Sequence, residues 1–294
     1  MKLSKGDGIL ITGSNGFLGN ALSKRLIIDG EYDVKLFDIN NGNIFDYDFS
    51  SYRVKHVCHL AARTFVPQSW EEPFDYYKVN FLGTLNILEY CRKQNASMTF
   101  ISTYMYGMPR YLPIDENHPR EAHSVYNHTK LLAEDTCEFY SKHYNNSITV
   151  LRLFNVYGIG QRQDFLIPSI IQQAMNNNTI EVTDTRPKRD FVYIDDVINA
   201  ICLSFGLDGY NVYNVGSGKS FSVLEVIKII SDTLGMYKQV IDKKQIRTNE
   251  VLNVIADINK IKTELTWEPK INFDDGIKKV IETIKSGVSD GRSN

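Results

Sequence analysis

The segment "ITGSNGFLG", residues 11 to 19, constrains the fold more than any other stretch of the chain. Its glycines, Gly13, Gly16 and Gly19, fall three apart, after the apolar run "GILIT" and before a helical pattern from Phe17 to Gly30. A glycine-rich turn from a buried strand into a helix is a phosphate cradle. Gly13 makes the tight turn, Gly16 lets the backbone approach a pyrophosphate, and Gly19 permits close packing of helix on strand. Free N–H groups at the helix start then face phosphate oxygens. The alternation continues downstream. "DVKLFD", "HVCHLAA", "MTFIST" and "ITVLRLFNVYG" read as strands, and "DYYKVNFLGTLNILEYCRKQ" and "SVYNHTKLLAEDTCEFYSKHY" as long helices. Strand–helix alternation implies crossover connections and a doubly wound parallel sheet, an α/β fold that binds ligands at the carboxyl ends of its strands.

After about Gly160 the pattern loosens. "LIPSIIQQAMNN", "DDVINAICLSF" and "SVLEVIKIISDTLG" read as helices separated by short strands and loops. The organisation expected is a Rossmann-type dinucleotide-binding domain over residues 1–160, then a smaller α/β substrate-binding domain, mainly residues 161–294, with some elements returning to the first. The 294 residues carry a net charge of −2, without the basic excess of a non-specific nucleic-acid binder. Cys58, Cys91, Cys137 and Cys202 are scattered, and no histidine pair or cysteine cluster has metal-ligand spacing, so free thiols and no metal are expected. No apolar run approaches the roughly 18 residues of a membrane span. The start "MKLSKGDGILITG" is too soon interrupted by glycine for a signal peptide, so the cytoplasm is the expected location.

Two further features point to a cofactor that is used. Asp38 ends the second strand about 20 residues beyond the loop, where an acid bonds the ribose hydroxyls of NAD and repels a 2′-phosphate. Tyr126 and Lys130 stand four apart in "YNHTK", on one helix face. An adjacent ammonium favours a phenolate, so Lys130 is expected to lower the tyrosine's pKa and make it a base for hydride-transfer chemistry.

The loop from Thr12 to Gly19, Asp38, "HLAAR", "FISTYMYG" and "YNHTK" occur in the order seen in extended short-chain dehydrogenases/reductases. "LRLFNVYGIGQ", "RDFVYIDDV", "YNVGSG" and "LTWEPK" extend the likeness over nearly the whole chain, which resembles the NAD-dependent sugar epimerase/dehydratase family, UDP-glucose 4-epimerases in particular. The resemblance implies that Gly13, Asn15, Gly16, Phe17, Leu18, Gly19, Asp38, Asn43, Ile44, Leu60, Ala61 and Ala62 contact NAD. It makes Tyr126 the acid/base and Lys130 its activator and a ligand of the nicotinamide ribose. Thr103 or Ser102 would bond the reacting sugar oxygen; counting from the strand favours Thr103, counting back from "YG" favours Ser102. Asn43 stands where the family usually has an aspartate that contacts adenine. Asn155, Arg189 and Arg247 match residues that bind a nucleotide-activated sugar, although "IRTNEVLN" around Arg247 departs from the usual motif. The two long helices imply a homodimer.

Reaction type follows from residues the chain lacks. Dehydratases of the family carry an acidic pair just after the catalytic threonine; here Tyr104 and Met105 stand there. Neither supplies the acid and base of an elimination. The expectation is epimerisation at sugar carbon 4 through a transient ketone. The alternatives are a 4-keto reductase or a dehydratase of the same family, or a non-enzymatic dinucleotide sensor, which the intact Tyr126–Lys130 pair disfavours.

Overall fold

The structure, a computed structural model, describes residues 3–104, 107–245 and 250–287. Its frame is the expected doubly wound sheet. The first half contains β1 (Gly8–Thr12), α1 (Phe17–Asp29), β2 (Asp33–Phe37), β3 (His56–His59), α2 (Val66–Glu71), α3 (Pro73–Tyr76), α4 (Gly83–Gln94), β4 (Ser97–Thr103), α5 (Val125–Tyr144), β5 (Ile148–Leu153) and β6 (Asn155–Tyr157). The second contains α6 (Leu166–Asn176), β7 (Thr179–Val182), β8 (Lys188–Tyr193), α7 (Ile194–Leu203), β9 (Tyr210–Val215), β10 (Ser220–Ser222), α8 (Val223–Leu234), β11 (Gln239–Asp242), α9 (Asn259–Leu265) and α10 (Phe273–Lys285).

Six parallel strands pair in the order β2-β1-β3-β4-β5-β9. Because side chains alternate across a strand, Ile9, Ile11, Leu151 and Leu153 face α1 and α7, while Leu10, Phe100, Ile148 and Val150 face α4 and α5. Strand order reverses between β1 and β3, so the glycine loop after β1 sits at the topological switch point. Between β2 and β3, only a 3₁₀ turn, Phe49–Ser51, lies among the described elements. A cluster of Phe37, Tyr47, Phe49, Tyr52 and Tyr90 packs this edge.

Two elements differ from their sequence reading. The helix expected over residues 75–94 is interrupted: residues 77–82 form a π-helical turn between α3 and α4. The strand read through "ITVLRLFNVYG" splits after Leu153, and β6 pairs with β8 in a second sheet, β10-β8-β6. From the second half, β9 crosses back to close the edge of the large sheet beside β5. A two-stranded pair, β11-β7, and α6, α8 and α10 complete the smaller part. No described helix is long and apolar enough to cross a membrane, and among the described residues no cluster of metal-ligating side chains forms.

Candidate active site

The glycine loop is fixed by contacts that leave no room for side chains. Gly13 takes φ +70°, and a Cβ there would lie 2.8 Å from Ala61 Cα and N. On Gly19 a Cβ would fall 2.0 Å from the Gly13 carbonyl oxygen, so helix α1 packs directly on the loop. Gly16 opens α1, and a Cβ on it would meet only the Gly13 oxygen, at 3.0 Å. No side chain caps the start of α1, and no acidic residue lies in its first turn. Asn15 and Gly16 are exposed, and Phe17 and Leu18 half-buried. An open, backbone-lined cradle at a helix start fits the pyrophosphate of a dinucleotide.

Asp38 is half-buried at the end of β2, where its carboxylate accepts the Asn40 N–H at 2.9 Å. Leu60, Ala61 and Ala62 follow β3 alongside the loop; the Leu60 N–H donates to the Thr12 carbonyl at 3.2 Å. Asn43 is exposed. Ile44, by contrast, is buried against Gly83, and the Asn86 amide holds its carbonyl at 2.9 Å.

At the carboxyl edge of the sheet, β4 ends on Ser102 and Thr103. Consecutive strand residues point to opposite sides, and the two hydroxyls go to different partners. Thr103 lies close enough to the Tyr126 phenol to favour its ionised form. Ser102 donates to Glu134 Oε2 at 2.9 Å. Glu134 is fully buried and is gripped by Arg152, whose Nε donates at 3.0 Å, and by Arg120 at 2.9 Å. Ser102, Arg152 and Asn214 are register partners across β4, β5 and β9.

Tyr126 and Lys130 come from the first turns of α5, which Ser124 caps by accepting the Asn127 N–H at 3.1 Å. Both are buried. The expected electrostatics are corrected here. Burial pushes the Tyr126 phenol up to about 12; Thr103 opposes that rise, and Lys130 does not contribute. Lys130 turns its ammonium over the Phe100 ring, 4.1 Å from the centroid. Burial lowers its own pKa to about 7, against the opposing pull of Cys137 and Glu134. Desolvation acts on both members of the pair and favours their neutral forms.

A buried polar chain that the sequence reading missed links the loop to this helix. Thr12 Oγ1 meets His59 Nδ1 at 2.8 Å, and His59 Nε2 meets Thr84 Oγ1 at 3.0 Å. The Thr84 hydroxyl donates to the Asn80 carbonyl at 2.7 Å, and the Asn80 amide donates to Thr129 Oγ1 at 3.0 Å. Thr129 in turn donates to the Tyr126 carbonyl at 2.8 Å. Asn80 lies in the π-helical turn, a distortion common at functional sites. Its sequence signal was a polar residue on the apolar face of "VNFLGTLNIL".

On the other side of Thr103, Asn155 donates to the Asp190 carbonyl at 3.1 Å and approaches the Tyr104 hydroxyl at 3.3 Å. Arg189 is largely buried; it donates to the Val251 carbonyl at 2.6 Å and pairs with Glu250. Arg247 lies outside the described residues. His128, between the pair in sequence, faces away and bonds Tyr77 at 2.7 Å.

A glycine-lined cradle at the switch point of a parallel sheet, with a threonine, tyrosine and lysine gathered at the same edge, is a short-chain dehydrogenase/reductase site. The comparisons narrow the class. The chain belongs to the sugar epimerase/dehydratase family: the model described as GDP-mannose 4,6 dehydratase matches residues 28–280. A putative UDP-glucose 4-epimerase of Methanocaldococcus jannaschii is 35% identical, over 95% of this chain and 98% of that protein. The crystal structure of the Thermotoga maritima UDP-glucose 4-epimerase with UDP-glucose superposes with a TM-score of 0.87 at 28% identity, over 96% of this chain and all of that one. MoeE5 in complex with UDP-glucose and NAD gives a TM-score of 0.85 at 26% identity, over 96% of this chain and 100% of that chain.

Proposed function

We propose that this protein is an NAD-dependent nucleotide-sugar epimerase acting at sugar carbon 4. The observation that carries the reading is the gathering of buried Thr103, at the end of β4, with Tyr126 and Lys130, one turn apart on α5, at the sheet edge that carries the glycine cradle. In this reading Gly13, Asn15, Gly16, Phe17, Leu18 and Gly19 seat the pyrophosphate. Asp38 takes the adenosine ribose and disfavours NADP. Asn43, Ile44, Leu60, Ala61 and Ala62 flank the dinucleotide, Ile44 through packing. NAD, when bound, supplies a reversible hydride acceptor.

The chain's own residues do the rest. Thr103 and Tyr126 hold the 4-hydroxyl, and Tyr126, ionised to the phenolate, takes its proton as carbon 4 is oxidised to a ketone. Lys130 holds the nicotinamide ribose and supplies positive charge when protonated. Asn155, Arg189 and Arg247 anchor the nucleotide diphosphate, Arg189 through its planar fork. The keto-sugar turns about that anchor, and Tyr126 returns the proton after hydride reaches the other face. No carboxylate follows Thr103, so elimination lacks its acid and base.

Residues 1–160 would form the cofactor half and residues 161–294 most of the sugar-nucleotide half. Phe74, Leu82 and Phe139 are exposed on the helices that would pair in a homodimer. A cytoplasmic location accords with nucleotide-sugar substrates.

The test is one preparation. Purified protein should contain NAD, elute as a dimer on gel filtration, and interconvert one pair of UDP-, GDP-, dTDP- or CDP-sugar epimers without added cofactor. Net consumption of added NADH would instead select the keto-reductase. NAD binding without turnover of any sugar in the panel would instead select a dinucleotide sensor.

A further inference from the structure

Tyr104 is the first residue past Thr103, and its surroundings are unlike those of a packing tyrosine. Its N–H still donates to the Leu153 carbonyl at 3.3 Å, so the backbone remains tied to β5. Its ring lies flat on Phe154, with centroids 4.6 Å apart and planes 13° from parallel. That stacking fixes the ring and leaves the hydroxyl as the working end. The hydroxyl meets only the Asn155 amide among the hydrogen bonds described, at 3.3 Å to nitrogen and 3.4 Å to oxygen. Both are long for bonds to a hydroxyl. The same amide makes a shorter bond, 3.1 Å, to the Asp190 carbonyl. The phenol therefore keeps capacity for a stronger partner.

Its position decides what that partner is. The phenol feels the charges of Arg189, Asp190 and Glu250 on one side, and Tyr104 in turn acts on the Tyr126 phenol on the other. Its chain neighbour Thr103 ends β4, and its partner Asn155 is tied to the carbonyl of Asp190, the residue after Arg189. Burial raises the pKa of Tyr104, so it stays a neutral donor and cannot shuttle protons as a carboxylate would.

Resting on the epimerase reading above, we propose that Tyr104, oriented by Phe154 and Asn155, is a specificity-determining residue. It donates a hydrogen bond to a second sugar oxygen near the reacting one, on carbon 3 or carbon 6. The enzyme accordingly selects nucleoside-diphosphate hexoses that bear that oxygen over their deoxy analogues. A buried donor built for a substrate oxygen rejects an analogue without it, because the donor is left unpaired.

Tyr104→Phe keeps the ring and its stacking. Wild type and variant, both NAD-loaded, are titrated calorimetrically with UDP and with UDP-glucose. Their kcat/KM is measured on the most active sugar of the panel and on its 3-deoxy and 6-deoxy analogues. The expected result is a loss of about 10- to 100-fold in kcat/KM on the full sugar, with UDP affinity unchanged. On one of the two deoxy analogues wild type and variant should be equally slow. Equal kcat/KM of the two proteins on the full sugar would overturn this proposal alone. A wild type that binds NAD but neither nucleotide and turns over no sugar would overturn the epimerase reading, and this proposal with it.

Discussion

At the scale of single residues, the sharpest distinction lies between two neighbours. Ser102 and Thr103 are chemically near-equivalent, and sequence spacing favoured each by a different count. What separates them is strand alternation combined with where β4 ends, which three-dimensional packing decides. Thr103 reaches Tyr126, and Ser102 reaches the buried Glu134–Arg152 pair. Thr103 is the group that opposes the burial-driven rise of the Tyr126 pKa. Thr103→Val should therefore lower kcat and move the acidic limb of the pH–rate profile, where activity rises as Tyr126 ionises, to higher pH, because the phenol loses the group that favours its ionised form. Ser102→Ala should leave that limb in place and instead lower the melting temperature, since Glu134 loses a donor. A Ser102→Ala profile shifted like that of Thr103→Val would reverse the assignment. The tyrosine–lysine electrostatics were not legible in the sequence at all. Spacing gives adjacency on a helix, but only the burial of both groups shows that desolvation dominates their pKa values.

At the scale of elements, the glycine loop was the most legible part of the chain, since glycine spacing, strand and helix all agreed. The structure redistributes the roles of its glycines. Gly13 combines a left-handed conformation with close approach to Ala61, and Gly19 carries the closest contact, between helix and loop. Backbone meets backbone at Gly19, so no side-chain rotation relieves an added methyl. Gly19→Ala should lose bound NAD and destabilise the fold by roughly 1–3 kcal/mol, the usual range for overpacking. Gly16→Ala, which meets one oxygen at 3.0 Å, should melt closer to wild type while still impairing NAD retention. Thermal melts and nucleotide content of the two variants check this; a Gly19→Ala protein with wild-type melting would contradict the contact. The π-helical turn, and which element returns to the first sheet, escaped the sequence reading for a different reason. Both answer to long-range demands: pinning Asn80 between Arg63 and Thr129, and completing the sheet edge beside β5. Hydrophobic periodicity records neither.

At the scale of the whole molecule, the sheet is stitched by polar groups placed where a sequence pattern predicts apolar ones. His56 bonds Ser97 at 2.8 Å and Thr99 at 3.0 Å, and His59 joins Thr12 to Thr84. Both are fully buried on β3, and burial lowers each pKa to about 3 from an ordinary 6.5. Folding is thereby linked to pH with a definite sign. Near pH 5 the unfolded chain carries a proton on each imidazole and the folded chain on neither, so unfolding takes up about two protons from this pair. Stability is full above about pH 6.5 and is lost progressively as pH falls towards 3. At two protons the slope is about 3 kcal/mol per pH unit around pH 5, steep enough to unfold a domain of ordinary stability before its carboxylates have all been neutralised. Urea unfolding at several pH values between 5 and 6 measures the slope directly. His56→Gln, which retains hydrogen-bonding capacity without an ionisable ring, should roughly halve it. A slope unchanged by that substitution would mean that the proton uptake arises elsewhere, and that the buried histidines of β3 are not what ties this fold's stability to neutral pH.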